Sequence, residues 1–135
     1  MCLNNWGGID HKVLEFHEYV NLFSGKSGSG KSTVMDAIQV ILYGSFSPSF
    51  LNKAADDAKN RRSVLSYLRG EQKDGSANRK DCDFCSVIAL EIEDTGTHII
   101  TCIGIAFEVR KSDSEIKKFV YFSHSGKMPT SGYLT

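Results

Sequence analysis

The sequence has few of the residues that mark specialised protein classes. Its 4 cysteines among 135 residues are too few for a small secreted domain that disulfides hold together. It has no excess charge, since 16 Lys and Arg balance 16 Asp and Glu, which excludes a uniformly basic, histone-like nucleic-acid binder. No apolar run approaches the roughly 20 residues that span a bilayer. We therefore expect no membrane segment.

The first ten residues also lack the pattern of a secretory signal, because they contain neither a basic region nor a long apolar run. We expect a cytoplasmic protein, and a nucleoid-associated one if its source is a prokaryote. The sequence does contain 41% hydrophobic residues, enough for a core at this length, and 24% charged residues. This composition predicts one folded unit and not a disordered chain.

One pair of cysteines has the spacing of a metal or redox site. Cys82 and Cys85 form a CxxC, and Cys102 or His98 would have to complete a zinc site. No second CxxC or HxxxH follows, so half of the usual ligand spacing is missing. We expect instead that Cys85 and Cys102 are small core residues on strands.

The N-terminal third has the pattern of a strand, a loop and a helix. Residues 19–23 are apolar except for Asn21 and predict a largely buried strand that ends at residues 24–25. A helix is expected over residues 31–43, and Gly44 should end it in a left-handed conformation. The predicted apolar stripe of this helix consists of Val34, Ala37, Ile38, Ile41 and Leu42.

The middle of the chain, residues 45–83, is irregular and basic. We expect a turn at 47–49, a short helix over 61–69 with Val64, Leu65 and Leu68 inward, and a mobile polar loop over 71–81. Residues 53–80 hold eight Lys and Arg against four Asp and Glu. This surplus predicts a basic strip that would either contact nucleic-acid phosphates or form an ordinary solvated face; it contains Arg61, Arg62, Arg69, Arg79 and Lys80.

Residues 84–123 change to the alternation of β-strands. Turn residues separate the runs, which favours an antiparallel meander. We expect strands over 84–93, within 98–109 and over 118–123, with turns at 94–97 and 111–115.

The strongest functional signal lies between Gly25 and Ser32, which match the phosphate-loop pattern G-x-x-x-x-G-K-[ST] at every fixed position. Glycines let backbone N–H groups approach phosphates, and the following helix directs its free N–H groups at them. Lys31 would contact the β- and γ-phosphates, and the Ser32 hydroxyl would ligate Mg²⁺. The predicted nucleotide-binding residues are Gly25, Lys26, Ser27, Gly28, Ser29, Gly30, Lys31, Ser32 and Thr33.

The longer string from Ser24 to Gln39 resembles the N-terminal half of the head of SMC-like ATPases, within the ABC superfamily. The resemblance rests on G-S-G-K-S-T followed by an apolar pair and Asp-Ala-Ile. Asn5-Trp6 resembles the opening strand of these proteins, and Leu68-Arg69-Gly70 looks like their arginine loop. The chain is most similar to the MukB-like branch, which includes the SMC-like ATPase of the Wadjet anti-plasmid defence system.

The resemblance implies an α/β P-loop NTPase fold of the ABC/SMC type. Residues 1–135 would be the N-terminal Walker A lobe of a head, with strands before the P-loop, a helix after it and an antiparallel meander. The signature motif and the Walker B Asp-Glu would lie in a C-terminal half-head beyond a long coiled coil. Neither motif occurs in this chain, and its two glutamines, Gln39 and Gln72, do not identify the family's metal-sensing Gln. The chain alone is thus expected to bind nucleotide weakly, if at all, and not to hydrolyse it, and Lys31 is its one candidate catalytic residue.

The same resemblance implies ATP and Mg²⁺ as ligands and ATP-driven engagement of two heads that acts on DNA, in chromosome organisation or plasmid defence. The implied partners are the C-terminal half-head, a second copy of the head, DNA and kleisin-type accessory subunits. Residues 8–12, with His11, would lie near the adenine and ribose. Arg69, with Arg61 and Arg62, would contact nucleotide or DNA, unless Arg69 is an ordinary arginine at a helix C-terminus.

Two other functions remain open. A self-contained P-loop kinase would need an Arg-rich lid and a mainly parallel sheet, and the meander after Phe84 argues against it. A non-catalytic regulatory or assembly module would bind nucleotide without turnover.

Overall fold

The computed structural model describes residues 1–44, 51, 63–72 and 74–128. Its elements follow one another along the chain as β1 (Cys2–Trp6), β2 (Ile9–Val13), α1 (Lys31–Tyr43), α2 (Val64–Leu68), β3 (Phe84–Glu93), β4 (Ile100–Val109) and β5 (Lys118–Ser125). The five strands form one sheet in the order β2-β1-β3-β4-β5, and every neighbouring pair is antiparallel. The predicted meander is confirmed.

The main core lies on the sheet face that packs against α1 and α2. Strands contribute Leu3, Trp6, Ile88, Ile105 and Phe107, and the helices contribute residues such as Ala37 and Leu68. A second, smaller cluster contains Cys2, Ala89 and Cys102 on the other face. No helix within the described ranges is long and apolar enough to cross a membrane.

The hairpin turn between β3 and β4 forms as predicted. The Asp94 carboxylate accepts hydrogen bonds from the backbone N–H groups of Gly96 and Thr97. These bonds stabilise the ionised carboxylate. They hold the pKa of Asp94 below its usual range, the bond from Thr97 more than the bond from Gly96. Asp94, which the sequence places in this turn, therefore holds the turn together through these hydrogen bonds.

A left-handed residue in β1 places two large side chains in the same core. Asn5 has φ 50°, and its side-chain amide donates to the carbonyl of Cys85 at 2.8 Å. A regular strand sends residues 3 and 6 to opposite faces. Because Asn5 interrupts the alternation, Leu3 and Trp6 are both fully buried in the main cluster.

The strand predicted over residues 19–23 is wrong. Residues 14–23 form no strand in the structure, and Tyr19 and Leu22 are each 87% exposed. The Asn21 amide accepts from the His17 N–H at 2.7 Å and donates to the His17 carbonyl at 2.8 Å. Residues 17–21 therefore form a closed turn, and the segment pairs with none of the strands of the described sheet.

Helix α1 has the predicted bounds and ends as predicted, but the side of the helix that is buried differs from the predicted side. Gly44 is left-handed, with φ 61°, and its N–H bonds the Val40 carbonyl at 3.0 Å. Val40, absent from the predicted stripe, is fully buried, whereas Leu42 is 56% exposed. The sheet covers α1 from one side only, and Leu42 lies beyond the edge of the covered face.

Helix α2 is shorter than predicted. The Ser63 hydroxyl accepts from the Ser66 N–H at 3.1 Å and so caps the helix, which begins after residue 63. Its inward residues, including Val64, Leu65 and Leu68, are confirmed as buried. The turn expected at 47–49 lies outside the described residues, as do Arg61 and Arg62.

The loop predicted as mobile over residues 71–81 is held by internal bonds in its described part. Glu71 forms an isolated bridge with Ala77, and the Gln72 N–H donates to the Ser76 carbonyl at 2.7 Å. Arg79 is buried, with 6% of its surface exposed. This segment is therefore attached to the core and does not form a free loop.

The cysteines divide between core and surface. Cys102 is buried as predicted, but Cys85 is exposed. Both lie on the sheet face away from the main core, and of the two only Cys102 belongs to the smaller buried cluster there. Among the described residues, no group of three or more His, Cys, Asp or Glu side chains is arranged to hold a metal ion. The CxxC pair thus gains no further ligands there.

The close approach of three strands at Gly104 leads to a stability prediction. A Cβ at Gly104 would lie 2.4 Å from Phe122 Cζ and 2.5 Å from the Ile88 carbonyl oxygen. Gly104→Val should therefore push the strands apart and lower the free energy of unfolding by at least about 1–3 kcal/mol. Urea denaturation measures the change, with Ala106→Val on the same strand face as the matched control. Equal midpoints for the two variants would contradict the prediction.

A candidate nucleotide-binding site

The loop before α1 has a backbone conformation that glycine makes accessible. Gly30 is left-handed, with φ 91° and ψ 10°, and is the N-cap of α1. At the start of the loop, a Cβ on Gly25 would lie 2.6 Å from the Ser29 hydroxyl oxygen. Side chains at these positions would strain the turn or fill its interior. The glycines of the motif therefore allow the loop conformation that the sequence predicts.

The Lys31 ammonium lies within this loop. Its Nζ donates to the carbonyl oxygens of Gly25 at 2.7 Å and Lys26 at 2.9 Å, and it lies 3.3 Å from the Ser29 hydroxyl. A loop this small thus already encloses a positive charge. A bound phosphate would compete with these carbonyls for the ammonium group, since a charge-assisted bond to an anion is stronger than one to a neutral carbonyl.

The N-terminus of α1 has groups that suit an anion. Among the residues that the structure describes, no side chain caps this helix, and its first turn contains no acidic residue. Its first backbone bond runs from the Val34 N–H to the Gly30 carbonyl at 3.1 Å. The N–H groups of the three preceding residues have no partner within the helix. Together with the helix dipole, they fit a phosphate group.

The two hydroxyl residues after Lys31 have different surroundings. Ser32 is exposed, as a metal ligand on a bound nucleotide requires, whereas Thr33 is half-buried. The Trp6 indole N–H donates to the Thr33 carbonyl at 2.8 Å. Gly7 lies against the Thr33 side chain, so closely that a Cβ there would be 3.0 Å from Thr33 Cγ2.

The sequence pattern does not reveal this contact between the β1–β2 turn and the start of α1. It gives Trp6 only a family resemblance and gives Gly7 no role. The adjacent Trp6 and Gly7 are the local signal in the sequence, and the left-handed φ of 55° at Gly7 is visible only in the structure. Only the fold shows that this pair supports the P-loop helix.

The predicted arginines have different positions. Arg69 Nη2 donates to the carbonyls of Arg110, Lys111 and Asp113, at 3.2, 3.2 and 2.8 Å. Arg69 therefore holds the turn between β4 and β5, which gives it a structural role; contact with nucleotide or DNA stays a prediction.

The predicted basic strip is wrong at Arg79, which points into the protein because backbone carbonyls bind its guanidinium. Lys80 is exposed, as predicted. His11 lies on the exposed strand β2, and its proximity to a nucleotide base stays a prediction.

Comparison with known proteins agrees with the geometry of this loop. Residues 1–58 match the family described as the P-loop containing region of AAA domain. Over 72 residues the chain is 33% identical to the C subunit of the nuclease SbcCD of Staphylococcus haemolyticus. That alignment covers 50% of this chain and 6% of the other protein, so the chain spans a small fraction of this relative's length. A P-loop region implies nucleotide binding, typically with Mg²⁺.

Proposed function

We propose that this chain binds MgATP as the Walker A part of an SMC-like ATPase head that acts on DNA. The observation that carries the proposal is the Lys31 ammonium, enclosed by a glycine loop at an uncapped helix N-terminus. The similarity to one polypeptide of a nuclease supports DNA as the substrate of the whole protein. The family resemblance of the string from Ser24 to Gln39 supports the SMC-like assignment and the choice of ATP.

The residues of the loop have distinct roles in this proposal. Backbone N–H groups of residues 25–33 bind the phosphates, Lys31 neutralises charge on the β- and γ-phosphates, and Ser32 binds the magnesium ion. The nucleotide supplies the phosphoryl group that is transferred to water. This chain holds and orients that group, and the residue that orients the attacking water belongs to the remainder of the protein.

The exposed segment over residues 15–23 supports an incomplete head. Its apolar side chains, including Tyr19, Val20 and Leu22, lie on the surface. Next to it runs an open groove lined by Phe16, Tyr19 and the end of β3. Exposed apolar surface of this kind favours a partner. We propose that the C-terminal half-head covers it.

The finer assignments rest on resemblance. We propose the MukB-like branch, a second head copy that sandwiches the nucleotide, kleisin-type subunits, and a task in chromosome organisation or anti-plasmid defence. Arg69, with Arg61 and Arg62, is proposed to approach the nucleotide or the DNA. Arg69 Nη2 already binds three carbonyls of the turn between β4 and β5. A nucleotide or DNA that approaches Arg69 would therefore also approach this turn.

Mixing this chain with the C-terminal half-head of the same protein tests the proposal. We expect ATP hydrolysis by the mixture and none by either half, because the P-loop and the water-orienting residue lie on different halves. Linear duplex DNA should increase the rate. The matched control is the same mixture made with Lys31→Ala, which should be inactive.

Other outcomes would select the alternatives. Turnover by this chain alone would favour a self-contained kinase-like enzyme, although the antiparallel pairing of the five strands in the described part of the chain argues against that class. A folded mixture that binds ATP without hydrolysing it would indicate a regulatory module. Either result would contradict the proposed ATPase head.

A further inference from the structure

Arg79 is a charged residue that is buried in the protein. Contact with nucleotide or DNA does not explain why it is there. Only 6% of its surface is exposed, and its guanidinium carbon lies 5.6 Å from the centre of the Phe84 ring. Burying a charge is costly unless hydrogen bonds compensate. The partners of this guanidinium therefore indicate what it holds together.

Three of these partners come from two separate parts of the chain. Nε donates to the Leu68 carbonyl at 3.0 Å, Nη2 donates to the Gly7 carbonyl, and Nη1 donates to the Asp10 carboxylate at 2.8 Å. The backbone N–H of Arg79 also donates to the Arg69 carbonyl at 3.0 Å. One residue thus binds the end of α2 and the β1–β2 turn together.

The turn that Arg79 holds is the turn that supports the P-loop helix. Gly7 contacts Thr33 on one side and the Tyr67 ring on another, since a Cβ there would lie 3.0 Å from Thr33 Cγ2 and 3.1 Å from Tyr67 Cε1. On the far side, a Cβ on Gly70 would lie 2.9 Å from the Gly7 carbonyl oxygen. Gly7 therefore has little room to move unless Arg79 or its neighbours move as well.

We propose that Arg79 is a positioning residue of the nucleotide site. By fixing Gly7 against Thr33, it sets the first turn of α1, and with it Ser32, in the position that binds the magnesium ion and phosphates. The same hydrogen bonds link the first turn of α1 to the segment Leu68-Arg69-Gly70, so a displacement of one of them displaces the other. This inference rests on the proposed binding of MgATP.

The Asp10 ion pair contributes little to this arrangement. The Asp10 side chain is 82% exposed, and exposed ion pairs are weak. The two carbonyl bonds, made by the planar fork of donors that only arginine offers, carry the geometry. Lysine at position 79 would keep the charge and lose the simultaneous contacts with Gly7 and Leu68.

The test is the affinity for ATP with and without Mg²⁺, measured by calorimetry on the whole chain at a temperature where circular dichroism shows each variant folded. Arg79→Met and Arg79→Lys should weaken MgATP binding by about 10–100-fold, the usual effect of losing support for a metal site. The gain in affinity that Mg²⁺ provides should also shrink. Lys118→Met, which removes an exposed charge on β5, should behave like the unmodified chain.

The magnesium dependence separates positioning from a general loss of stability, because lower stability alone does not change it in a folded sample. If Arg79→Met does not fold, Gly7→Ala decides, since its Cβ would push on Thr33 from the same turn. Folded variants at either position that keep the full Mg²⁺-dependent affinity would overturn the inference. An unmodified chain that does not bind MgATP would instead refute the proposed function.

Discussion

Lys31→Ala should remove nucleotide binding by this chain. The Lys31 ammonium is held inside the loop by the carbonyls of Gly25 and Lys26, which is where the β- and γ-phosphates of a bound nucleotide belong. Truncating one partner of a charged, hydrogen-bonded pair costs about 2–5 kcal/mol. That range corresponds to a loss of about 30-fold to several thousand-fold in affinity.

Thermal unfolding in the presence of MgATP measures this effect, because a ligand that binds only the folded state raises the melting temperature with its concentration. The unmodified chain should show this rise and Lys31→Ala should not. Lys127→Ala removes an exposed lysine and is the matched control. Equal stabilisation of Lys31→Ala and the control would remove the phosphate-loop assignment.

Trp6→Ala should produce the largest loss of stability. Trp6 is fully buried, its ring centre lies 4.8 Å from that of Tyr67, and its indole N–H bonds the Thr33 carbonyl. Truncating a buried Trp costs about 3–5 kcal/mol, a large share of the roughly 5–15 kcal/mol that stabilises an average domain. Chemical denaturation followed by circular dichroism measures the change.

Trp6→Phe separates packing from hydrogen bonding. It keeps an aromatic ring in the core and loses the donor to the Thr33 carbonyl, so it should destabilise the fold less than Trp6→Ala. If Trp6→Ala unfolded at the same denaturant concentration as the unmodified chain, the assigned contact between β1 and α1 would be wrong.

Local patterns are sufficient where one element determines its own structure. The helix over Lys31–Tyr43 follows from its apolar spacing, its preceding glycine loop and the left-handed Gly44. The hairpin at residues 94–97 follows from Asp94, whose carboxylate binds two N–H groups within three residues. In both cases the interacting residues lie only a few positions apart in the sequence, so a short sequence pattern is enough to predict the interaction.

Local patterns are insufficient where a distant neighbour decides. The apolar run at 19–23 predicts a strand, but a strand needs another strand beside it, and the sheet ends at β2 and β5. Cys85 and Cys102 look alike in sequence, yet the sheet buries one of them and exposes the other. The rotation of α1, with Val40 inward and Leu42 outward, likewise depends on which side of the helix the sheet covers.

Residue types at short, fixed spacings are enough to predict the phosphate loop, the helix that follows it and the antiparallel meander. The support of the loop is different, because it depends on contacts between distant parts of the folded chain. Arg79 lies 72 positions from Gly7 along the chain, and Trp6 lies 27 positions from Thr33. No local pattern records such pairs, since their hydrogen bonds form only after the sheet has brought the β1–β2 turn against α1 and α2.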